Sequence, residues 1–340
     1  MSDFFDLTAD QQAHRLTILA QSQLAHWGDG AELVRLIKFR ENAVFEVSLK
    51  GGQRGALRIH RQGYHSSASL QSELQWMDAL THRGLQAPYA IPTTRGDRFV
   101  EAQIPEARGA WLIDVLSWLD GHMLGEIGEP LALADHRTEP VFNSIGRTMA
   151  ELHIASMAFS ERGEQPRHHW DSSGFIGDDP LWGPFWELDA LTEGQREFFN
   201  AVRSVLASDL ASYARFDHNY GLIHADMVPE NVLLDGDDIK LIDFDDAGYG
   251  WFVFDIVTAL FWLQEEPQFE LMRRSLLNGY QSVRPLSETD LDALPLFFAL
   301  RSTTYMGWVH TRRNTETAQA LTPMIIELAE HMCRQYMERR

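Results

Sequence analysis

A short segment, HADMVPENVLL at residues 224–234, places polar side chains suited to phosphate chemistry directly before an apolar run. Asp226 and Asn231 lie in this segment, and a further acid, Asp243, follows in IKLIDFDD. An asparagine oxygen and a carboxylate are hard ligands that suit Mg²⁺, while a second carboxylate can accept a proton. Phosphoryl transfer needs such a base together with a metal that neutralises the phosphate charge. We therefore predict that Asp226 is the base and that Asn231 and Asp243 hold Mg²⁺.

The residues around these side chains predict a β-hairpin that brings them together. NVLL and IKLIDF are apolar runs, and the residues between them include an Asp-Gly pair, Asp235-Gly236, which is typical of a tight hairpin turn. A hairpin brings its two open ends together, so we expect Asn231 and Asp243 to be neighbours. Asp226, in the loop before the first strand, should close over them.

The remaining elements divide the sequence into two parts of different character. Helical periodicity marks residues 8–26 and 69–82, and from about residue 139 helices predominate. The strand-like segments of the first part are VRLIKFRENAVFEVSL, which turns at residues 40–42, ALRIH, AIPTT, RFVEAQI and AWLIDVLSWL. The pattern predicts an α+β fold, with a small N-terminal antiparallel sheet and one internal helix, followed by a larger, mainly helical part.

The composition limits the classes of partner. The 340 residues include 49 acids against 29 Lys plus Arg, a formal charge of −20, which argues against nucleic acid and anionic membranes as partners. A single cysteine, Cys333, excludes an internal disulfide framework and suits a reducing compartment. The sequence shows no signal peptide and no long charge-free apolar stretch, so we expect a cytoplasmic protein.

The spacing H-x-D-x-x-x-x-N followed by I-D-F resembles the protein-kinase signature. It is more similar to the aminoglycoside phosphotransferase/choline kinase superfamily, in which a small residue, here Ala225, follows the histidine. Within that superfamily it looks most like the bacterial group of the stress-response kinase and the type II homoserine kinase-like proteins. The resemblance implies a bilobal protein-kinase-like fold: a nucleotide-binding lobe at 1–117, a hinge at 118–121, and a helical lobe at 122–340 with the catalytic loop and acceptor pocket.

In the N-terminal half the resemblance implies a nucleotide site. The turn containing Asn42 would cover the phosphates, and Arg58 stands where the family carries a strand lysine. Arginine keeps the charge of lysine but has a larger, forked guanidinium group. The alternative role for Arg58 is therefore a plain salt bridge on the face of the strand. Glu73 would pair with Arg58. The hinge residues whose backbone would bind adenine are Ser117, Trp118 and Leu119.

In the C-terminal half the resemblance implies supporting and acceptor-binding residues. Asp255 would buttress the catalytic loop, and for His224 a structural role is preferred over a direct catalytic one. Aromatic and acidic residues could line the acceptor pocket, with helix or lid packing as the alternative for the aromatic ones. These candidate acceptor residues are Asp246, Trp182, Trp186 and Tyr305.

The resemblance implies an ATP-dependent kinase that uses Mg²⁺ and phosphorylates a hydroxyl of a small acceptor, such as an amino alcohol or amino acid. One alternative is a protein Ser/Thr kinase of the stress-response type, with a protein substrate. A second alternative, motivated by Arg58, is a nucleotide-binding pseudokinase. A dehalogenase-type phosphatase, suggested by DFDDA, is rejected because its motif opens that fold near the N-terminus.

Overall fold

The computed structural model describes residues 4–104, 107, 109–159 and 166–340. The chain divides into two compact units, Met1–Asp120 and Gly121–Arg340. The division falls at the stretch predicted as a hinge, and the roles assigned to the two lobes remain predictions.

The first unit is an antiparallel five-stranded sheet with a long helix before it and another within it. The elements are α1 (Ala9–Gln23), β1 (Glu32–Phe39), β2 (Ala43–Ser48), β3 (Arg54–Ile59), α2 (Ser67–His82), β4 (Phe99–Ala102) and β5 (Trp111–Ser117). The strand order is β1-β2-β3-β5-β4, so the strand that carries Arg58 is central.

Local sequence signals explain where the two helices of this unit begin. Thr8 caps α1 in a capping box with Gln11, and the Ser66 side chain accepts a hydrogen bond from the Ser69 amide at the start of α2. The strand predicted for AIPTT is wrong, because only Ala90 pairs, in an isolated bridge with Leu116. Pro92 has no N–H to donate to a ladder, and the chain turns directly after it.

The sheet of the first unit has one face packed in an apolar core and one face with a buried charge. Phe45, Leu57, Ile113 and Val115 belong to one core cluster and are at most 1% exposed. Since side chains alternate along a strand, Arg58 points to the opposite face from Leu57. That face is covered by α2, whose predicted apolar residues Leu70, Leu74, Met77 and Leu80 are all buried.

The second unit is mainly helical and contains two small three-stranded sheets. Its strands are β6 (His122–Met123), β7 (His169–Trp170), β8 (Tyr220–Ile223), β9 (Val232–Asp235), β10 (Asp238–Leu241) and β11 (Gly248–Trp251). The strand orders of the two sheets are β10-β9-β6 and β7-β11-β8. Its helices are α3 (Asp135–Met157), α4 (Ser172–Ile176), α5 (Glu193–Ser212), α6 (Phe252–Phe261), α7 (Phe269–Val283), α8 (Glu288–Asp292), α9 (Leu294–Thr311) and α10 (Glu316–Arg339).

The predicted hairpin is present as β9 and β10. Asp235 pairs with Asp238, which leaves Gly236 and Asp237 as the turn, and Gly236 has the positive φ of 64° that such a turn favours. The helix α6, which follows β11, is buried along its whole length, and α9 packs against it. Among the residues that the structure describes, no helix is both long and apolar enough to span a bilayer.

Candidate active site

One buried carboxylate binds the backbone at the start of the loop 224–231. Asp255, in the first turn of α6, accepts hydrogen bonds from the backbone amides of His224 at 2.9 Å and Ala225 at 2.7 Å. Ala225 has φ of 63°, a left-handed conformation that costs a non-glycine residue free energy. The two bonds from Asp255 therefore stabilise a strained backbone directly before Asp226.

Asp255 is itself part of a buried hydrogen-bonded chain. Its Oδ2 lies 3.0 Å from Nε2 of His153, whose Nδ1 lies 2.8 Å from the Tyr280 hydroxyl. Burial alone would raise the pKa of Asp255, but His153 and the amide of His224 outweigh this and lower it. Burial lowers the pKa of His153, so the neutral ring donates to Asp255 and accepts from Tyr280.

His224 connects the loop to the end of the hairpin. Its Nε2 lies 3.0 Å from the Ile242 carbonyl oxygen, and its Nδ1 accepts from the Asp226 amide at 3.3 Å. Its ring also packs against Phe244, with centroids 4.5 Å apart. Both ring nitrogens are thus engaged with backbone groups, which favours the structural role for His224.

The Asp226 carboxylate is held by two donors. Arg301 Nη2 donates to Oδ1 at 2.8 Å, and Asn231 Nδ2 donates to Oδ2 at 3.0 Å. Burial raises the pKa of Asp226 and the nearby Asp246 carboxylate adds to this, while Arg301 opposes both. The Asp226 side chain retains 22% of its accessible surface, so it can still be reached from outside.

Asn231 and Asp243 lie at the joined ends of the hairpin, as the sequence predicts for their spacing. The Ile242 amide donates to the Asn231 carbonyl oxygen at 3.0 Å, which places Asp243 beside that strand end. Asn231 Nδ2 donates to the Asp226 backbone oxygen at 2.8 Å, so its Oδ1 points away from Asp226. Asp243 is exposed and has φ of 65°. An amide oxygen and an exposed carboxylate fit a hard divalent cation such as Mg²⁺.

Three of the four candidate acceptor residues lie around Asp226. Trp182 Nε1 donates to Asp246 Oδ1 at 3.2 Å, and the Trp182 ring lies 5.7 Å from the Tyr305 ring. The Tyr305 hydroxyl accepts from Arg301 at 2.8 Å. Trp186 is placed differently, because its ring lies beneath the guanidinium of Arg203 on α5, at 3.7 Å.

In the first unit, Arg58 is engaged by two acids. Its Nε and Nη2 donate to the two Asp114 oxygens at 3.0 and 2.7 Å, and its Nη1 donates to Glu73 at 2.9 Å. His60 Nε2 lies 2.9 Å from the same Asp114 carboxylate. Burial alone would raise the pKa of Asp114, but Arg58 and His60 lower it to about 2. The salt bridge considered for Arg58 is therefore present, and nucleotide binding by Arg58 stays a prediction.

The other predicted nucleotide contacts lie at the ends of this sheet. Asn42 Oδ1 accepts from the Arg61 amide at 2.9 Å, which joins the β1–β2 turn to the end of β3. The Ser117 amide donates to the Tyr89 carbonyl oxygen at 2.9 Å. After it come Trp118, whose ring lies 4.0 Å from the guanidinium of Arg54, and the partly exposed Leu119. Adenine binding by this segment remains a prediction.

Three buried residues of these networks are absent from the sequence-based site. Arg301 and Asp114 stand within largely apolar elements, a signal that is visible in the sequence, whereas His153 lies on the buried side of the amphipathic helix α3. Each is a buried polar group that must find a partner. The partners are not visible in the sequence, since they lie 75, 56 and 102 residues away along the chain.

Comparison with known proteins agrees with this geometry. The model of the Phosphotransferase enzyme family matches residues 34–290. An amicoumacin kinase of Bacillus subtilis is 27% identical over 310 residues, which cover 87% of this chain and 85% of the relative. A homoserine kinase of Agrobacterium fabrum is 32% identical over 225 residues, which cover 65% of this chain and 62% of the relative.

Solved structures confirm the kinase-like fold. A microcompartment-associated aminopropanol kinase superposes with a TM-score of 0.80 at 28% identity, covering 95% of this chain and 98% of the other. The amicoumacin kinase hAmiN, solved with AMP-PNP, Ca²⁺ and Ami, gives a TM-score of 0.74 at 22% identity, covering 95% and 96%. The chain therefore belongs to the phosphotransferase enzyme family and is an ATP-dependent phosphotransferase.

Proposed function

We propose that this protein transfers the γ-phosphate of ATP to a hydroxyl of a small, amine-bearing acceptor. The observation that carries the proposal is the Asp226 carboxylate, which is fixed by two donors, remains reachable and lies beside Asp246. The relatives support it, since homoserine and aminopropanol each contain both a hydroxyl and an amine.

In the proposed reaction the acceptor oxygen forms a bond to the γ-phosphorus while its proton passes to Asp226. The bond between that phosphorus and the bridging oxygen breaks, and ADP leaves. A carboxylate that takes the proton as the new bond forms acts as a general base, which typically contributes about 10²–10⁴-fold to the rate. Burial favours this role, because it makes Asp226 a stronger base than an exposed aspartate.

We assign the metal to Asn231 and Asp243 and the nucleotide to the first unit. Mg²⁺, when bound, would neutralise charge on the phosphates. Asn231 fits because its Nδ2 is engaged with Asp226, which leaves the amide oxygen as the ligand atom. The residues assigned to ATP are Asn42, Arg58, Glu73, Ser117, Trp118 and Leu119.

We assign the amine of the acceptor to Asp246, because a carboxylate offers charge pairing to an ammonium group. Trp182 fixes this carboxylate, since its Nε1 donates to Asp246 Oδ1 at 3.2 Å. The rings of Trp182, Tyr305 and Trp186 are left out of this assignment, because each already lies against a guanidinium, that of Arg301 for the first two and that of Arg203 for the third.

A panel of acceptors with Mg-ATP tests the proposal. It should include 1-amino-2-propanol and homoserine, 1,2-propanediol as the matched compound without an amine, and a casein-like protein. We expect ADP formation together with a phosphorylated amino alcohol or amino acid, detected by mass spectrometry, and much slower transfer to the diol. Transfer to the protein alone would instead support a protein kinase.

A further inference from the structure

Arg301 is a buried charge in an apolar helix. Its side chain is 0% exposed, and its guanidinium lies against the rings of Trp182, Phe254 and Tyr305 at 4.8, 5.4 and 4.5 Å. Removing an arginine from water is costly unless the charge is paired and hydrogen-bonded. The partners of Arg301 should therefore show what this residue does.

The hydrogen bonds of Arg301 converge on the loop 224–231. Nη2 donates to Asp226 Oδ1 at 2.8 Å, and Nη1 donates to the Ala225 carbonyl oxygen at 3.2 Å. The Tyr305 hydroxyl accepts from Nη2 at 2.8 Å and from Trp262 Nε1 at 2.7 Å. Arg301 Nε has no hydrogen-bond partner among the described residues. The guanidinium thus contacts the loop at two adjacent residues while one of its own donors stays unpaired.

We propose that Arg301 is a positioning residue for phosphoryl transfer, which holds Oδ1 of Asp226 so that Oδ2 faces the acceptor hydroxyl. This inference rests on the proposed function. Asn231 Nδ2, 3.0 Å from Oδ2, fixes the second oxygen, so the carboxylate has a donor at each end and little freedom to rotate. In the step, the acceptor O–H proton passes to Oδ2 as the new O–P bond forms and the bond to the ADP oxygen breaks.

The difference in exposure separates the role of Arg301 from that of a substrate contact. Asp226 retains 22% of its side-chain surface, whereas Arg301 retains none. Arg301 therefore cannot touch an acceptor or a nucleotide and acts only through Asp226 and Ala225. Tyr305 orients Arg301, because its hydroxyl accepts a hydrogen bond from the same Nη2 group that binds Asp226.

Steady-state kinetics of the full chain test this inference, with Mg-ATP and the best acceptor of the panel. Arg301→Met keeps length and apolar packing but removes the donors, and Arg301→Lys keeps the charge without the planar fork. Leu300→Ala is the matched control, since it removes packing from a fully buried neighbour on α9 and no charge.

We expect Arg301→Met to lower kcat about 100-fold, the loss typical of a misplaced catalytic group, and Arg301→Lys to lower it about tenfold. KM for ATP should stay within about three-fold in both, because a positioning residue acts on the transfer step. Leu300→Ala should lower the melting temperature and keep kcat within about three-fold of the wild type. If Arg301→Met does not fold, Arg301→Lys is compared with Leu300→Ala instead.

The inference is overturned if an Arg301 variant has kcat within about three-fold of Leu300→Ala, or if only KM for ATP changes. Wild-type turnover in that experiment would leave the proposed function intact. Absence of transfer by the wild type to any compound of the panel would instead overturn the proposed function, and this inference with it.

Discussion

Asp255→Asn should weaken the support of the loop 224–231 while changing the shape of the side chain very little. Asp255 is 0% exposed and accepts three hydrogen bonds, from the amides of His224 and Ala225 and from His153 Nε2. Asparagine offers one acceptor oxygen in place of two. In either orientation its NH₂ group faces at least one buried donor, which loses its partner.

The expected cost follows from these bonds. A hydrogen bond to a charged group contributes about 1.5–3 kcal/mol, and a buried donor without a partner costs about 1–3 kcal/mol. Together these predict a loss of about 3–5 kcal/mol. For a unit of this size, each kcal/mol shifts the melting temperature by about 2–4 °C, so a decrease of roughly 10 °C is expected.

Thermal unfolding of the full chain, followed by circular dichroism, measures this effect at neutral pH. Asp235→Asn is the matched control, because it removes a carboxylate bonded to Lys240 on the surface of the same unit and should hardly change melting. The pKa of Asp255 lies below its ordinary value of 3.8, so its stabilising effect is present above that pH and is lost as the pH falls further. A melting temperature of Asp255→Asn within about 2 °C of that of the wild type would refute this reasoning.

Two further substitutions test the networks around the predicted ligand sites. Asp114 has a pKa of about 2 against an ordinary 3.8, which corresponds to about 2 kcal/mol of stability that is present above pH 3.8 and lost toward pH 2. Asp114→Asn should therefore melt below the wild type at neutral pH, with the gap closing below about pH 3; a gap independent of pH would contradict this. Asp246→Asn should raise KM for an amine-bearing acceptor about tenfold and leave KM for ATP unchanged, whereas an equal rise for 1,2-propanediol would exclude charge pairing.

The parts of the fold that local chemistry decides were predictable from the sequence. The β9–β10 hairpin was predictable because Gly236 supplies the positive φ that its turn requires, although the turn is Gly236-Asp237 rather than the predicted Asp-Gly pair, since Asp235 still pairs with Asp238. The helix predicted over 69–82 forms as Ser67–His82, with Ser66 as its cap. The strand predicted for AIPTT does not form, although its composition is strand-like, because Pro92 has no N–H to donate to a neighbouring strand.

In the candidate site, too, local contacts were predictable from the sequence and long-range contacts were not. Asp226 and Asn231 are five residues apart and interact directly, so their motif was readable along the chain. The pairing of Arg301 with Asp226 depends on how α9 packs against α6, and no local pattern encodes that packing. Trp182 and Trp186 illustrate the limit, since only their positions in the fold separate the tryptophan beside Asp246 from the one beneath Arg203.

The most direct test of the account is the rate of phosphate transfer in the wild type and in Asp226→Asn, with ATP affinity measured separately. Asparagine retains an acceptor for Arg301 but cannot take the proton from the acceptor hydroxyl. We predict a loss of about 10²–10⁴-fold in kcat, while Kd for Mg-ATP stays within about three-fold. A variant that transfers phosphate at the wild-type rate would contradict the assignment of Asp226 as the base.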